Sequence, residues 1–340
     1  MNLASNTRHN PLFFITLLCF AVVLFIADIT IGSADISLKD IWNSLTGNDA
    51  ETLKIIYKFR FPKACVAVFT GVSLSIAGLQ MQTIFRNPLA DPYVLGVSSG
   101  AGLGVALFIM GVSSFAILEP LKNIGIYVSA LGGSALALLL ILTVSIRVKD
   151  VMSVLILGVM FGSGISAIIN ILQYFSTESG IKSYVMWTMG SLGSVTTDKL
   201  IVMAAALAVG IILSIYSIKP LNALLLGENY AKSMGVNIQR SRNIIFLATS
   251  ILTGTATAFC GPIGFIGIAV PHLTRMLFRQ ADHRVLMPGS MLIGACVMLL
   301  CDILSQIIIK DISLPINSIT ALIGIPVIIF VIVAYNKKRW

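Results

Sequence analysis

The sequence predicts an all-α, polytopic membrane protein with about ten transmembrane helices and both termini on the cytoplasmic side. Three observations carry that reading. Of 340 residues, 57% are hydrophobic and 11% charged, where a soluble domain carries roughly a quarter charged residues; mean hydropathy is +0.95. The apolar residues gather into ten runs approaching the length of about 20 residues that a spanning helix needs. The basic residues are shared unequally between the segments that join those runs. With most of the chain in the bilayer, no soluble catalytic domain fits, and residues 1–340 read as one transmembrane domain.

The first run, 12–30, follows Arg8 and His9. It is too long for a signal-peptide core and has no A-x-A cleavage site, so it is expected to be an uncleaved span. The others lie at about 64–85, 94–112, 124–146, 151–175, 200–218, 244–261, 263–278, 285–309 and 316–335. Gly261 and Pro262 also allow 244–278 to be read as one long broken helix.

Orientation follows from the positive-inside rule. With the N-terminus cytoplasmic, the inner segments hold fourteen of the 23 Lys and Arg and four acids, a net of +10, while the outer segments hold nine and eight, a net of +1. Asp28 and Asp302 remain within spans. The overall charge of +9 is thereby accounted for by the membrane, and no nucleic-acid partner is expected. The exception is an outer cluster of Lys54, Lys58, Arg60 and Lys63.

The five cysteines lie in apolar runs without a C-x-x-C pair, and His9, His272 and His283 are too dispersed for a helix-borne metal site. The chain has no G-x-x-x-x-G-K-[ST] loop, G-x-S-x-G elbow or H-E-x-x-H pair. It is expected to hold no metal or cofactor and to be no enzyme; transport remains.

Three stretches have a texture that lipid-facing helices do not need. Arg86-Asn-Pro-Leu-Ala-Asp-Pro-Tyr93 is a polar turn that contains Asn87 and Pro88, followed by Gly96, Ser98, Ser99, Gly100, Gly102 and Gly104. Small residues at this density let helix backbones approach. The longest cytoplasmic loop, about 219–240, contains Leu226-Gly-Glu-Asn-Tyr-Ala-Lys-Ser-Met-Gly235. Here Glu228–Met234 is expected to form a short helix stopped by Gly235, either a connector or a docking element. The third stretch runs from Gly261 to Arg275, with Gly264, Gly267 and Pro271. Its freed backbone groups must be buried in protein or line a cavity, so it is a pathway candidate. Asp302 in the following span is a functional candidate by default, with helix packing as the alternative. Thr70-Gly71 with Gly78 and Thr253-Gly254 with Gly261 form a short echo in spans of opposite direction, as inverted repeats do.

Taken together, Arg60-Phe-Pro-Lys63, Gln80-x-Gln82, Arg86-Asn-Pro-Leu-Ala90, Leu95-Gly96, Gly100-Ala101, Leu226-Gly-Glu228, Gly235, Gly264-Phe-Ile-Gly267, Pro271-His272, Arg275, Asp282-His-Arg284, Asp302, Leu314-Pro315 and Thr320-Ala321 resemble the FecCD-type permeases. These are the membrane subunits of bacterial ABC importers for iron siderophores, haem and cobalamin. The resemblance spans about 55–335. It implies a ten-helix permease of the bacterial inner membrane that pairs with a second copy or a close homologue. Two cytoplasmic ATPases, which bring the ATP and Mg, and a periplasmic or lipid-anchored substrate-binding protein complete the system. It also implies that the loop containing Leu226, Gly227, Glu228, Ala231 and Gly235 is the helix that couples to the ATPase. Arg60 and Lys63 would receive carboxylates of the binding protein.

Three positions depart from the family pattern. Lys63 replaces an Arg, which loses the bidentate fork. Gln306 stands where some relatives carry Arg, with Lys310 one turn on as its substitute. Ser313-Leu-Pro-Ile-Asn317 stands for E-L-P-x-G. The mechanism expected is alternating access, through a wide pathway whose candidates are Gln80, Gln82, Asn87, Pro88, Ser98, Gly264, Gly267, Pro271 and Asp302; helix packing is the competing role for each. An ion-coupled secondary transporter is the alternative function, but it needs mid-membrane carboxylates, and Asp302 alone fits, with Asp28 near a span end.

Overall fold

The computed structural model describes residues 11–32, 50–112, 122–148, 150–309 and 313–337. Among them all regular structure is helical. In order these helices are α1 (Pro11–Thr30), α2 (Ala50–Ile55), α3 (Phe61–Ile84), α4 (Val97–Ala106), α5 (Lys122–Arg147), α6 (Val151–Tyr174), α7 (Glu178–Thr188), α8 (Thr197–Tyr216), α9 (Ile218–Leu225), α10 (Glu228–Ser233), α11 (Ile238–Cys260), α12 (Ile266–Phe278), α13 (His283–Ile307) and α14 (Ile316–Lys337). Seven helical stretches are long and apolar enough to cross a membrane, and three shorter apolar ones, Val97–Gly111, Ile266–Phe278 and Ile316–Phe330, correspond to the remaining expected spans.

The spans divide into an interior and a wall. The hydrophobic windows of the α3, α11 and α13 spans are 83%, 78% and 61% buried, whereas those of α1, α5, α6 and α8 are only 11–17% buried. The wall helices turn Ile, Leu, Val and Met outward, where hydrocarbon replaces water as the solvent. Apolar burial therefore drives little of their association, and close packing must do so. The sequence supplies it with glycine. On α3, Gly71 faces the carbonyl of Gly294 on α13, and Gly78 faces that of Gly267 on α12, each so closely that a methyl group would overlap the backbone. Gly100 and Gly133 join α4 to α5 in the same way, which answers the expectation for the glycine-rich stretch after Tyr93.

Side chains set several helix starts. Asp150, Thr177, Asn237 and Asp282 accept backbone N–H bonds at the N-termini of α6, α7, α11 and α13, satisfying donors that a helix leaves unpaired.

Three features differ from expectation. The outer basic cluster is helical, because α2 runs through a π-helical turn at Ile56–Arg60 into α3. Helix α7 lies in a segment read as a plain connection; its signal was local, Thr177 capping a turn that opens with Glu178. The ambiguity at Gly261–Pro262 resolves as two helices, with Gly261 (φ 76°) and Phe265 (φ 70°) turning the chain between α11 and α12. Phe265 packs against Gly324 of α14, where any side chain would collide with its Cβ.

Substituting Gly78→Val is expected to push α3 off α12 and cost at least about 1–3 kcal/mol. A lowered melting temperature and loss of a single size-exclusion peak in detergent would show it; an unchanged profile would remove the glycine contact as a determinant of packing.

Candidate functional site

One end of the bundle, assigned to the cytoplasm by the charge distribution, is built around the arm α9–α10. Gly227 (φ 118°) starts α10 and Gly235 (φ 80°) ends it. The Gly235 N–H donates to Lys232 O at 2.9 Å and the Val236 N–H to Ala231 O at 3.0 Å, the double bond of a Schellman stop. Ala231 is buried beneath the helix, while Leu226, Tyr230 and Met234 are 65%, 52% and 60% exposed. Tyr230 and Met234, four residues apart, share one face of α10, while Leu226 caps α9 before the break at Gly227, so the arm exposes apolar side chains on both sides of that break. Glu228 points back into the bundle, where its Oε1 lies 3.3 Å from Nη2 of buried Arg242 on α11. Beside α10 a cavity of about 710 Å³ is lined by Phe85, Arg86, Asp150, Met152 and residues 226–230. The hydroxyl and backbone N–H of Ser153 hold the Asp150 carboxyl below its ordinary range. Burial works against the charge of Asp282, but hydrogen bonds from the Arg284 N–H and the Asn222 amide prevail and lower its pKa.

The broken segment is held by side chains from three other elements. Pro271 interrupts α12 and cannot donate to the Gly267 carbonyl one turn back. Gln82 Nε2 on α3 compensates, lying 3.5 Å from Gly267 O and 3.2 Å from Ile268 O. Arg275 Nη1 fixes this amide by donating to Gln82 Oε1 at 2.5 Å. In the break itself, the Ile263 N–H donates to Tyr93 Oη and the Gly264 N–H to Asn317 Oδ1, both at 3.0 Å. Asn317, one of the departures from the family pattern, thus satisfies a backbone donor that lipid would leave bare.

The pathway candidates separate accordingly. Gln80 is fully buried and accepts from Thr249 on α11 at 2.9 Å. Gln82, Gly267 and Pro271 meet at the α3–α12 contact. Gly264 lies in the break, half-buried, and Ser98 is half-buried in the first turn of α4. Asn87 is half-buried and Pro88 exposed, and the Pro88 carbonyl meets His272 Nε2 at 2.8 Å. Gln80, Gln82, Gly267, Pro271 and the Pro88 carbonyl join α3 and its flanking turn to α11 and α12.

At the opposite end, Arg60 Nη1 donates to the carbonyls of Ile29 and Thr30 at 2.8 and 2.7 Å, closing the C-terminus of α1, where a cation also suits the helix dipole. Lys63 Nζ lies 3.0 Å from Asp302 Oδ1; the two side chains are 19% and 2% exposed. Gln306 Nε2 donates to Asp302 Oδ2 at 3.1 Å, so this departure also has a local role. Asp28 of α1 is buried beside the pair. Arg60, Lys63, Asp302 and Gln306 border an open cavity of about 740 Å³, together with Met186, Met189, Ser191 and Leu314. In the basic cluster Lys54 and Lys58 are the exposed members. Lys310 lies outside the described residues.

Sequence reasoning gave no role to Arg242, Asn222, Tyr93 or Asn317. Each acts on a residue far away in sequence, so no local pattern marked it; only Asn317, as a departure from a motif, carried a signal.

A wall of helices with outward apolar side chains around a broken core whose freed backbone groups find side-chain partners, with an exposed arm at one end and a charged vestibule at the other, defines a multi-pass membrane transport permease. The chain belongs to the FecCD transport family, which matches residues 19–334. It is 36% identical over 324 residues to the hemin transport system permease HmuU of Yersinia pestis, covering 95% of this chain and 96% of that one. It is 34% identical over 325 residues to the vitamin B12 import system permease BtuC of Escherichia coli O139:H28, covering 94% and 95%. Its fold matches a structure solved as an inward-facing ABC transporter of the metal-chelate type with TM-score 0.84 and 31% identity, over 95% of this chain and 99% of that one.

Removing Lys63 strands a buried carboxylate, a change that costs about 3–5 kcal/mol in such pairs. Lys63→Ala is therefore expected to be markedly less stable in detergent than Lys63→Ala/Asp302→Asn, in which the stranded charge is gone. Equal melting temperatures for the two would show that the pair is not held as described.

Proposed function

We propose that the chain is the membrane-spanning subunit of a bacterial ABC importer that carries a metal chelate, an iron siderophore, haem or cobalamin, across the inner membrane. In this reading two copies, or one copy and a close homologue, form the pathway. Two cytoplasmic ATPases bind ATP and Mg and drive the cycle, and a periplasmic or lipid-anchored binding protein delivers the substrate. The observation that carries it is the arm α9–α10. An apolar surface of Leu226, Tyr230 and Met234 stands exposed beyond the bilayer-length helices on the strongly basic side, while Ala231 and Glu228 root it in the bundle. Such a surface suits a soluble partner that buries it.

Alternating access is supported by the division between a wall and a compact interior. Displacement of the arm would reorient α3, α11, α12 and α13, whose contacts are short-range and directional. At the other end the exposed Lys54 and Lys58, with Arg60 and Lys63 behind them, give a basic surface that would steer an acidic binding protein. Among the described residues the buried carboxylates Asp28 and Asp302 stand with Lys63 at one end of the bundle, not at its middle, and so offer little to ion-coupled transport. The relatives named for hemin and for vitamin B12 carry the proposed substrate class.

Co-expression with its partner ABC-type ATPase is expected to give a stable complex. Tyr230→Asp and Met234→Asp should each lower ATPase recovery at least tenfold while the permease alone stays monodisperse. Full recovery with both aspartates in place would sink the docking assignment. Growth of a deletion strain on haem, ferric siderophores or cobalamin then identifies the chelate.

A further inference from the structure

The arm is tied to the interior by a hydrogen-bonded node that the coupling reading leaves without a role. Asn222 of α9 lies six residues before the start of α10. Its side-chain nitrogen donates to Asp282 Oδ1 at 2.6 Å, so its oxygen faces His283. That oxygen accepts from the His283 backbone N–H at 2.9 Å and from Nδ1 at 2.7 Å. The far side of the ring meets α3, where Nε2 lies 2.9 Å from Thr83 Oγ1. With Nδ1 donating to Asn222, Nε2 accepts from the Thr83 hydroxyl, whose single hydrogen the Leu79 carbonyl at 2.8 Å also competes for. The imidazole is completely buried. A single ring therefore joins the arm, the last turn of α3 and the first turn of α13.

The rest of the attachment differs in kind. Leu221, Ala223, Leu224 and Ala231 pack the arm by apolar contact, which is non-directional and permits sliding. Gly227 and Gly235 at the ends of α10 soften the covalent connection. Glu228 holds the arm to α11 through Arg242, and Arg86 Nη2 approaches the Leu224 carbonyl at 3.5 Å, which is long for a bond. A buried three-way hydrogen bond is directional, and breaking it leaves polar groups without partners. It is thus the contact that forces α3 and α13 to follow α9. These two helices also meet at Gly71–Gly294 and at Lys63–Asp302 near the opposite end.

We propose that His283 is a positioning residue for transport, transmitting displacement of the α9–α10 arm to α3 and α13 as a pair. The proposal rests on the ATPase-docking reading of the arm. It is tested in the intact permease–ATPase complex in nanodiscs, with spin labels at Lys232→Cys on the arm and at Leu304→Cys on the far turn of α13. Label distances between the two copies are compared with and without ATP and vanadate. In the parent complex both labels are expected to shift. In His283→Ala, and in Thr83→Val, which removes only one hydroxyl, the Lys232 shift should persist while the Leu304 shift falls at least threefold. A Leu304 shift retained within a third of the parent value in both variants overturns the proposal. So does loss of both shifts together with ATPase binding, since His283 would then merely stabilise the arm. An arm label that fails to respond in the parent complex would instead refute the docking reading itself, and with it the inference drawn from that reading.

Discussion

The structure depends on backbone groups being brought close together and kept paired where no water can replace a lost partner. In hydrocarbon an apolar side chain gains little by leaving lipid for protein, so helices associate by contact and by polar satisfaction. Helix α3 shows the first requirement. Its glycines at 71 and 78 let it lie directly on α13 and α12, and nearly every residue from Thr70 to Ile84 is buried. The break between α11 and α12 shows the second. Tyr93, Gln82 and Asn317 come from three separate parts of the chain to meet backbone groups that Gly261, Pro262 and Pro271 set free.

Charge is handled by the same economy. The ion pairs Lys63–Asp302 and Glu228–Arg242 lie near opposite ends of the bundle, and each fastens one helix start to another helix. Such pairs add little net stability over apolar replacements, but they fix register. One determines how α3 meets α13, the other how α10 meets α11. His283 joins three elements in the same manner through hydrogen bonds at both ring nitrogens. The interior is consequently a set of helices fastened to one another near their ends by charge and along their length by glycine contacts and hydrogen bonds.

This arrangement bears on how the motif residues of the permease are used. The motif residues Gln80, Gln82, Gly267 and Pro271 serve the joints between helices, and all three departures from the family pattern, Lys63, Gln306 and Asn317, have structural partners of their own. A conserved-looking motif in a membrane helix can therefore report how helices lock together as readily as what passes between them.

Composition and basic asymmetry alone determined that the chain is an all-α, multi-pass membrane protein, because the bilayer leaves a long apolar helix as the common solution. Gly235 likewise announced the end of α10, since its left-handed conformation is a local property of the chain. The helical character of 54–63 and the separate helix α7 were less legible, because short polar helices take their stability from packing more than from propensity. Gln82, read as a pathway candidate with helix packing as its competing role, also meets a carbonyl that Pro271 leaves without its helical donor. Asn222, His283 and Thr83 are separated by up to 200 positions and form one node. Only the tertiary structure decided these pairings, because sequence encodes which groups need a partner, while helix packing decides which partners come within reach.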